Sequence, residues 1–433
     1  MLSTVGSLLS ASRESGQTVD RVVVINDFSA SRGGATSVAL TSADLLKRAG
    51  IPVTYVSGDS GANPDRRLNS VQLIAAGCQS IFEAPKLQAS LAGLYNRRAE
   101  TLLATWIAAN DTSRTLYHLH GWSKILSPAV FRPLRSVAKR LLISAHDFFL
   151  VCPNGGYYDF EYRAGCDLRP MSAACLVRSC DRRSYGHKLW RLLRHTLRHE
   201  IFDISREGAT IIAVHERMLP LLERGGLRRD QLTALRNPVT PWSTTRIRAE
   251  LNKVFVFVGR VDADKGVDLF VAAARDAAVP VRIIGSGPLQ EKVSKIYPEA
   301  EFIPWCQPQD IKNMVRDARA VVVPSRTRET FGLVAFEALT SGIPVLVSKL
   351  AMISDEITRI GAALACDPSD QSGFAKLLSR LASDDNLIES MSKAAHDNAQ
   401  RLSLSPAEWT SRLLHIYGLL LRRSVTQSEK TRG

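Results

Sequence analysis

The chain alternates short β-branched runs with amphipathic stretches of helical length, and it does so in two successive series. Parallel strands need long crossovers between them and are buried on both faces, so they read as apolar runs separated by helices. The alternation therefore predicts βαβ units on parallel sheets. The first series opens with Arg21-Val-Val-Val-Ile-Asn26 and, after a helix closed by Gly50, continues with Pro52-Val-Thr-Tyr-Val-Ser57. Its later strand candidates are Thr115–His120, Leu141–His146, Thr210–Val214 and Leu232–Leu235. The second series comprises Lys253–Val258, Val281–Ile284, Glu301–Pro304, Ala320–Val323 and Pro344–Val347. Between them Asn237-Pro-Val-Thr-Pro-Trp-Ser-Thr-Thr245 reads as a linker, because its prolines and hydroxyl residues break regular structure. The expected fold class is α/β, with two Rossmann-like doubly wound domains at 21–240 and 241–405. A helix over 406–423 follows, with Trp409, Leu413, Leu414, Tyr417 and Leu421 at helical spacing. Residues 1–20 and 424–433 read as loosely ordered ends.

Charge and cysteine usage bound the partners. A formal net charge of +14 over 433 residues favours anionic ones: nucleotide phosphates, nucleic acid or an acidic membrane surface. No aromatic-and-basic recognition module is visible, which argues against nucleic acid. No run approaches the roughly 18 apolar residues of a membrane span, and no basic residue precedes the apolar patch of Met1–Ser10, so a cytoplasmic location is expected. Residues 182–199 carry Arg182, Arg183, Lys188, Arg191, Arg194 and Arg198 and no acid. On a helical wheel Trp190, Leu193, Leu197 and Ile201 share a face, with Arg191, Arg194 and Arg198 beside it. Such a helix either lies on an anionic membrane as a peripheral contact or packs its stripe on the domain. Four of the seven cysteines, Cys152, Cys166, Cys175 and Cys180, crowd one loop-rich insert over 152–180. Without a secretory signal disulfides are not expected, and without a Cys-x-x-Cys pair structural thiols are preferred over a zinc site.

Two acidic residues stand out. In Pro324-Ser-Arg-Thr-Arg-Glu-Thr-Phe-Gly-Leu-Val-Ala-Phe-Glu337, Glu329 and Glu337 have seven residues between them and follow an apolar strand. Glu329 falls in a strand-to-helix loop and Glu337 on the first turns of the helix that Gly332 helps to open. Crevices at the carboxyl ends of parallel strands are where such sheets bind ligands, and a carboxylate there accepts from two neighbouring hydroxyls, as on a sugar. Thr330, Phe331, Gly332 and Leu333 present backbone amides at a helix start, which suits an anion. Upstream, Gly259-Arg-Val-Asp-Ala-Asp-Lys-Gly266 places Arg260 and Lys265 after a strand, able to neutralise a leaving diphosphate. Gly285 and Gly287, in Ile283-Ile-Gly-Ser-Gly-Pro288, allow close backbone approach at a further junction. In the first half Gly33 and Gly34 open a helix in Ser31-Arg-Gly-Gly-Ala35, a departure from the dinucleotide fingerprint that counts against a nicotinamide enzyme. His118, His120 and His146 sit at strand ends, His118 and His120 on one side by strand alternation.

Taken together, these motifs resemble those of family 4 retaining glycosyltransferases, in particular the subset that builds bacterial surface polysaccharides, which His146-Asp-Phe-Phe-Leu-Val-Cys-Pro-Asn-Gly-Gly156 resembles. The resemblance implies the GT-B fold: two Rossmann-like domains facing across a cleft, with the last helix packing back on the first. It implies a nucleoside diphosphate sugar as donor and a saccharide or lipid-linked hydroxyl as acceptor. In those enzymes the counterparts of Arg260 and Lys265 clasp the phosphates. Glu337 would hold the ribose and Glu329 the donor sugar, with Gly285 and Gly287 beside the nucleotide. Gly33 and Gly34 would line the cleft near phosphate and acceptor, and His146, with His120 next, would touch the transferred sugar. No cofactor and no metal is expected, since the cations do the work of Mg²⁺. The rivals are a sugar-nucleotide epimerase or phosphorylase on the same fold, or a non-catalytic basic membrane-binding protein.

Overall fold

The computed structural model describes residues 19–306 and 308–430. The expectation for residues 1–18 and for 431–433 lies outside the described residues. The chain divides into two units. One comprises residues through Tyr162, Cys166–Arg236 and the stretch from Pro406; the other comprises Arg163–Gly165 and Asn237–Ser405.

In chain order the strands up to the linker are β1 (Arg21–Asn26), β2 (Val53–Ser57), β3 (Gln72–Ala75), β4 (Thr115–Leu119), β5 (Leu141–Ala145), β6 (Tyr158–Asp159), β7 (Ala164–Gly165), β8 (Thr210–Ala213) and β9 (Leu232–Ala234). Seven of them make one sheet, ordered β3-β2-β1-β4-β5-β8-β9, and its strand pairs run parallel. After the linker come β10 (Val254–Val258), β11 (Val281–Ile284), β12 (Glu301–Ile303), β13 (Ala318–Val323), β14 (Val345–Ser348) and β15 (Ala363–Cys366). These form a second parallel sheet, ordered β12-β11-β10-β13-β14-β15. Each sheet begins in the middle, winds to one side and returns to the other, which is the doubly wound Rossmann topology. The fold is α/β with two such domains. Strand order therefore reverses between β1 and β4 in one sheet and between β10 and β13 in the other. Those two points fix where ligands can sit.

The central strands are apolar because helices cover both their faces. Val22, Val23, Val24 and Ile25 are fully buried, as are Val321, Leu346 and Val347 in the second sheet. Two strands of the large sheets escaped sequence reading, as did the short pair Tyr158–Asp159 and Ala164–Gly165. Gln72–Ala75 is an edge strand, only part-buried, and Ala363–Cys366 is an edge strand with no β-branched residue, so neither carries the usual strand signature.

Five helices matter below: α1 (Gly34–Arg48), α2 (Tyr185–Ile201), α3 (Val267–Asp276), α4 (Leu333–Thr340) and α5 (Pro406–Lys430). Helix α5 belongs to the first unit and buries Trp409, Leu413, Tyr417 and Leu421. Its Tyr417 hydroxyl lies 2.7 Å from Nδ1 of the buried His118. It continues past Arg423, where a loose tail was expected.

Helix α2 departs most from expectation. Its cations point inward: Lys188, Arg194 and Arg198 are buried, while Leu189 and Leu193 are exposed. Arg194 donates to the Ser123 carbonyl at 2.8 Å, and Arg198 to the carbonyls of Leu150 at 3.0 Å and Phe202 at 3.1 Å. Arg191 pairs with Asp181 at 2.7 Å and reaches the Asn154 carbonyl at 3.0 Å. Loop carbonyls buried away from water need donors, and the fork of a guanidinium supplies several at once. The row of Arg191, Arg194 and Arg198 is thus a set of internal donors, not a lipid-facing face. Trp190, expected on that face, donates to the Ser90 carbonyl at 3.1 Å. In the cysteine insert the buried Lys188 ammonium lies 3.0 Å from the Cys180 sulfur and 3.7 Å from that of Cys175. Among the described residues no three His, Cys, Asp or Glu side chains are grouped to hold a metal.

Candidate donor-binding site

Two loops leave neighbouring strands at the switch point of the second sheet, 259–266 after β10 and 324–332 after β13. They are locked together before any ligand arrives. Arg326 grips the Asp268 carboxylate through both terminal nitrogens, at 2.8 and 3.0 Å, and donates to the Ala263 carbonyl at 2.6 Å. The loops also touch backbone to backbone. Gly266 adopts φ 69°, and a Cβ there would stand 2.0 Å from the Pro324 carbonyl oxygen. Gly285, just beyond β11, adopts φ 146°, and its Cβ would stand 1.9 Å from the Gly259 carbonyl oxygen. Only glycine serves where a left-handed backbone and a close approach coincide. Gly287 lies against the Val261 backbone in the same way.

This frame brings Lys265 and Glu329 together: Nζ to Oε2 is 2.6 Å, and the Ser325 hydroxyl donates to the same oxygen at 3.1 Å. Burial alone would raise the Glu329 carboxyl, but the Lys265 ammonium and the Ser325 hydroxyl hold it below the usual carboxylate range. Burial would likewise depress Lys265, yet the same pairing holds it above its ordinary value. Both groups stay charged at neutral pH. Arg260 is turned to its own loop, 3.2 Å from Asp262 and 3.3 Å from Asp264. Neither cation is a bare clamp, since each is held by carboxylates that an incoming phosphate would have to share or displace.

Gly332, at φ 73°, precedes α4, so the amides of Thr330 and Phe331 lie before the helix and that of Leu333 at its first residue. The Phe331 side chain is core, its ring centroid 4.9 Å from that of Phe336. Glu337 lies on the second turn of α4. It is part-buried, and among the described residues no side chain or amide bonds its carboxyl. Burial pushes that carboxyl up to about 7. A carboxyl desolvated without a partner is poised to accept hydrogen bonds from a ligand.

In the first unit the switch point is lined by the residues after β1 and β4. His120 donates its amide to the Ile25 carbonyl at 2.8 Å, and its Nδ1 lies 3.0 Å from Nε2 of His146, which follows β5. Burial lowers His146 to about 4 and His120 well below its ordinary value, the latter also through the neighbouring rings. Both are therefore neutral imidazoles at pH 7, one donating to the other, and the His120 Nε2 is buried with no protein partner. His118 is instead spent on structure, bonded to Tyr417 and, at 2.9 Å, to Ser144. Gly33, at φ 100°, caps α1, and Gly34 is its first residue. Sequence reading missed Asp27, whose carboxylate accepts the amides of Lys124, Ile125 and Leu126 at 2.8–2.9 Å and so fixes the loop after His120. Its signal was an acid directly after a central strand. It also missed Ser325 and Asp268, which look like ordinary loop and helix polar residues until their partners are known.

Residues 245–398 match the family model of glycosyl transferases group 1. The second unit contains the whole match. Its loops 259–266 and 324–332 and its helix α4 all fall inside the match. Curated relatives include the D-inositol 3-phosphate glycosyltransferase of Corynebacterium urealyticum, 29% identical over 35% of this chain and 40% of the relative. The glycogen synthase of Mycobacterium tuberculosis is 26% identical over 41% of this chain and 45% of the relative. The chain thus spans less than half the length of these relatives. The fold extends further than the sequence similarity. The sucrose-phosphate synthase of Thermosynechococcus elongatus aligns over 93% of this chain and 100% of its own, with TM-score 0.68 and 16% identity. Anabaena HepE, solved in complex with UDP-glucose, aligns over 92% of this chain and 99% of its own, with TM-score 0.62 and 13% identity.

Proposed function

We propose that this protein is a retaining hexosyltransferase of family 4 type, moving a hexose from a nucleoside diphosphate sugar to a hydroxyl of a saccharide or lipid-linked acceptor in surface polysaccharide synthesis. The observation that carries it is the Lys265–Glu329–Ser325 cluster at the switch point of the second sheet. In this reading Lys265 and Arg260 bind the diphosphate, together with the amides of Thr330, Phe331 and Leu333. Glu329 accepts from the donor sugar and Glu337 from the ribose diol. His120 and His146, as neutral rings, hydrogen-bond the transferred sugar. The acceptor oxygen attacks the anomeric carbon on the face from which the nucleoside diphosphate departs. The carbon–oxygen bond to phosphate breaks, and a phosphate oxygen takes the acceptor's proton. The chain works in the cytoplasm, peripherally attached at the inner face of the membrane.

The test is transfer or hydrolysis with a panel of nucleotide sugars, with the anomeric configuration of the product read by NMR. Turnover of none of them overturns the reading, and an inverted product overturns retention. Because lysine and arginine supply the positive charge, turnover is expected to be unchanged in EDTA. Loss of activity restored by Mg²⁺ or Mn²⁺ would refute a metal-free mechanism.

Glu337 gives a pH-dependent prediction. Its folded carboxyl titrates near 7, above the ordinary value of about 4.3 in the unfolded chain. The folded state therefore binds the extra proton, and stability falls as pH rises from about 4 to 7. Glu337→Gln should raise the melting temperature at pH 8, by the equivalent of about 1–3 kcal/mol, and leave it little changed at pH 4.5. A ribose diol donating to the carboxylate favours the ionised form, so nucleotide affinity should climb from pH 6 to 8 in the parent and stay flat in the variant. Calorimetric titration at those two pH values decides the point, and parallel slopes would remove Glu337 from the site.

A further inference from the structure

We propose that an apolar face of the first unit, built by α2 and the neighbouring helix Lys86–Leu94, docks on an anionic lipid bilayer. Inward rotation of the α2 cations leaves Leu189 50% and Leu193 57% exposed, one turn apart. On the adjoining helix Leu87 is 75% and Leu91 61% exposed, again one turn apart, and Phe82 just upstream is 62% exposed. The two helices are joined where the Trp190 indole donates to the Ser90 carbonyl and its ring lies over Gly93. The two leucine pairs therefore flank one seam. Five large apolar side chains at least half exposed on one region are unusual for a surface that faces only water.

Charge selects the occupant. Lys86, Arg182 and Arg183 are exposed at the starts of these segments, 85–94 contains no acid, and the one acid on α2 is Glu200 in its last turn. The nearby Glu83 is held by Arg32. A second copy meeting this face about a two-fold axis would bring like-charged rims together. An anionic bilayer offers acyl chains to the leucines and phosphates to the cations. This inference gives the peripheral attachment proposed above its surface, and it rests on that reading. Turnover with a soluble acceptor is a separate measurement that it does not require.

The experiment is co-sedimentation of the full chain with phosphatidylcholine vesicles, with and without phosphatidylglycerol, at low and high salt. Binding is expected to the phosphatidylglycerol vesicles at low salt and to weaken at high salt. Leu87→Asp, Leu189→Asp and Leu193→Asp together should lower the partition coefficient by at least roughly tenfold per leucine that enters the acyl boundary, with an unchanged melting temperature. A milder Leu→Ser set is the check if the aspartates impair folding. Equal binding by parent and both variant sets overturns the proposal, as does failure of the parent to bind at low salt. A dimer by light scattering that the same substitutions split would overturn it in favour of a second copy. If vesicle binding fails while nucleotide-sugar turnover persists, the transferase reading stands without this surface.

Discussion

Lys265→Ala is expected to lower turnover of a nucleotide sugar by about tenfold to a hundredfold, mainly through weaker donor binding. A charge-assisted hydrogen bond contributes roughly 1.5–3 kcal/mol, which corresponds to that range. The pairing at 2.6 Å makes the loss twofold in kind: the phosphate loses its cation, and Glu329 loses the ammonium that keeps it ionised. Glu329 should then titrate higher, so the acid side of the pH–rate profile of the alanine variant should move up. Arg260→Ala is expected to cost less, because Arg260 is more exposed and already shares its charge with Asp262 and Asp264. Steady-state kinetics across pH, with circular dichroism to confirm folding, checks both. An alanine variant at Lys265 with undiminished kcat/KM would take the ion pair out of the donor site.

The second large effect is on stability. Gly285→Ala is expected to destabilise the chain by about 2–4 kcal/mol, because it combines a disfavoured φ with a clash against rigid backbone. The new Cβ would stand 1.9 Å from the Gly259 carbonyl oxygen, so one of the two loops must move. Gly208 separates the two contributions. Its φ is +85°, but a Cβ there meets nothing within 4 Å, so Gly208→Ala should cost only about 1–2 kcal/mol. Urea unfolding of the two variants gives the comparison. Similar losses would mean that the close approach of Gly285 to Gly259 contributes nothing beyond its dihedral angle. If it does contribute, Gly285→Ala should also weaken nucleotide binding, since the displaced loop carries Arg260 and Lys265.

The sequence by itself determined the central strands of both sheets, because a parallel strand covered on both faces must be apolar along its length. Val22–Ile25, Val254–Val258 and Ala320–Val323 declare themselves for that reason, and the linker at Asn237 for its prolines. The same logic placed Glu329, Lys265, His120 and His146 just past strand ends, where the doubly wound topology directs ligands. The edge strands Gln72–Ala75 and Ala363–Cys366 stayed hidden, since an edge position imposes no such apolar demand.

Tertiary structure alone decided what each polar side chain faces. A wheel drawn on 185–201 puts arginines beside an apolar stripe, but it cannot show that the carbonyls of Ser123, Leu150 and Asn154 lie beneath them in need of donors. Satisfying those buried carbonyls outweighs leaving leucines in water, so the cations turned in and Leu189 and Leu193 turned out. Likewise the 64 residues separating Lys265 from Glu329 close to 2.6 Å only because β10 and β13 are neighbours in space. Hydrophobic periodicity is a local property and survives in the sequence; which donor meets which acceptor depends on strand order, and that is set only when the sheet assembles.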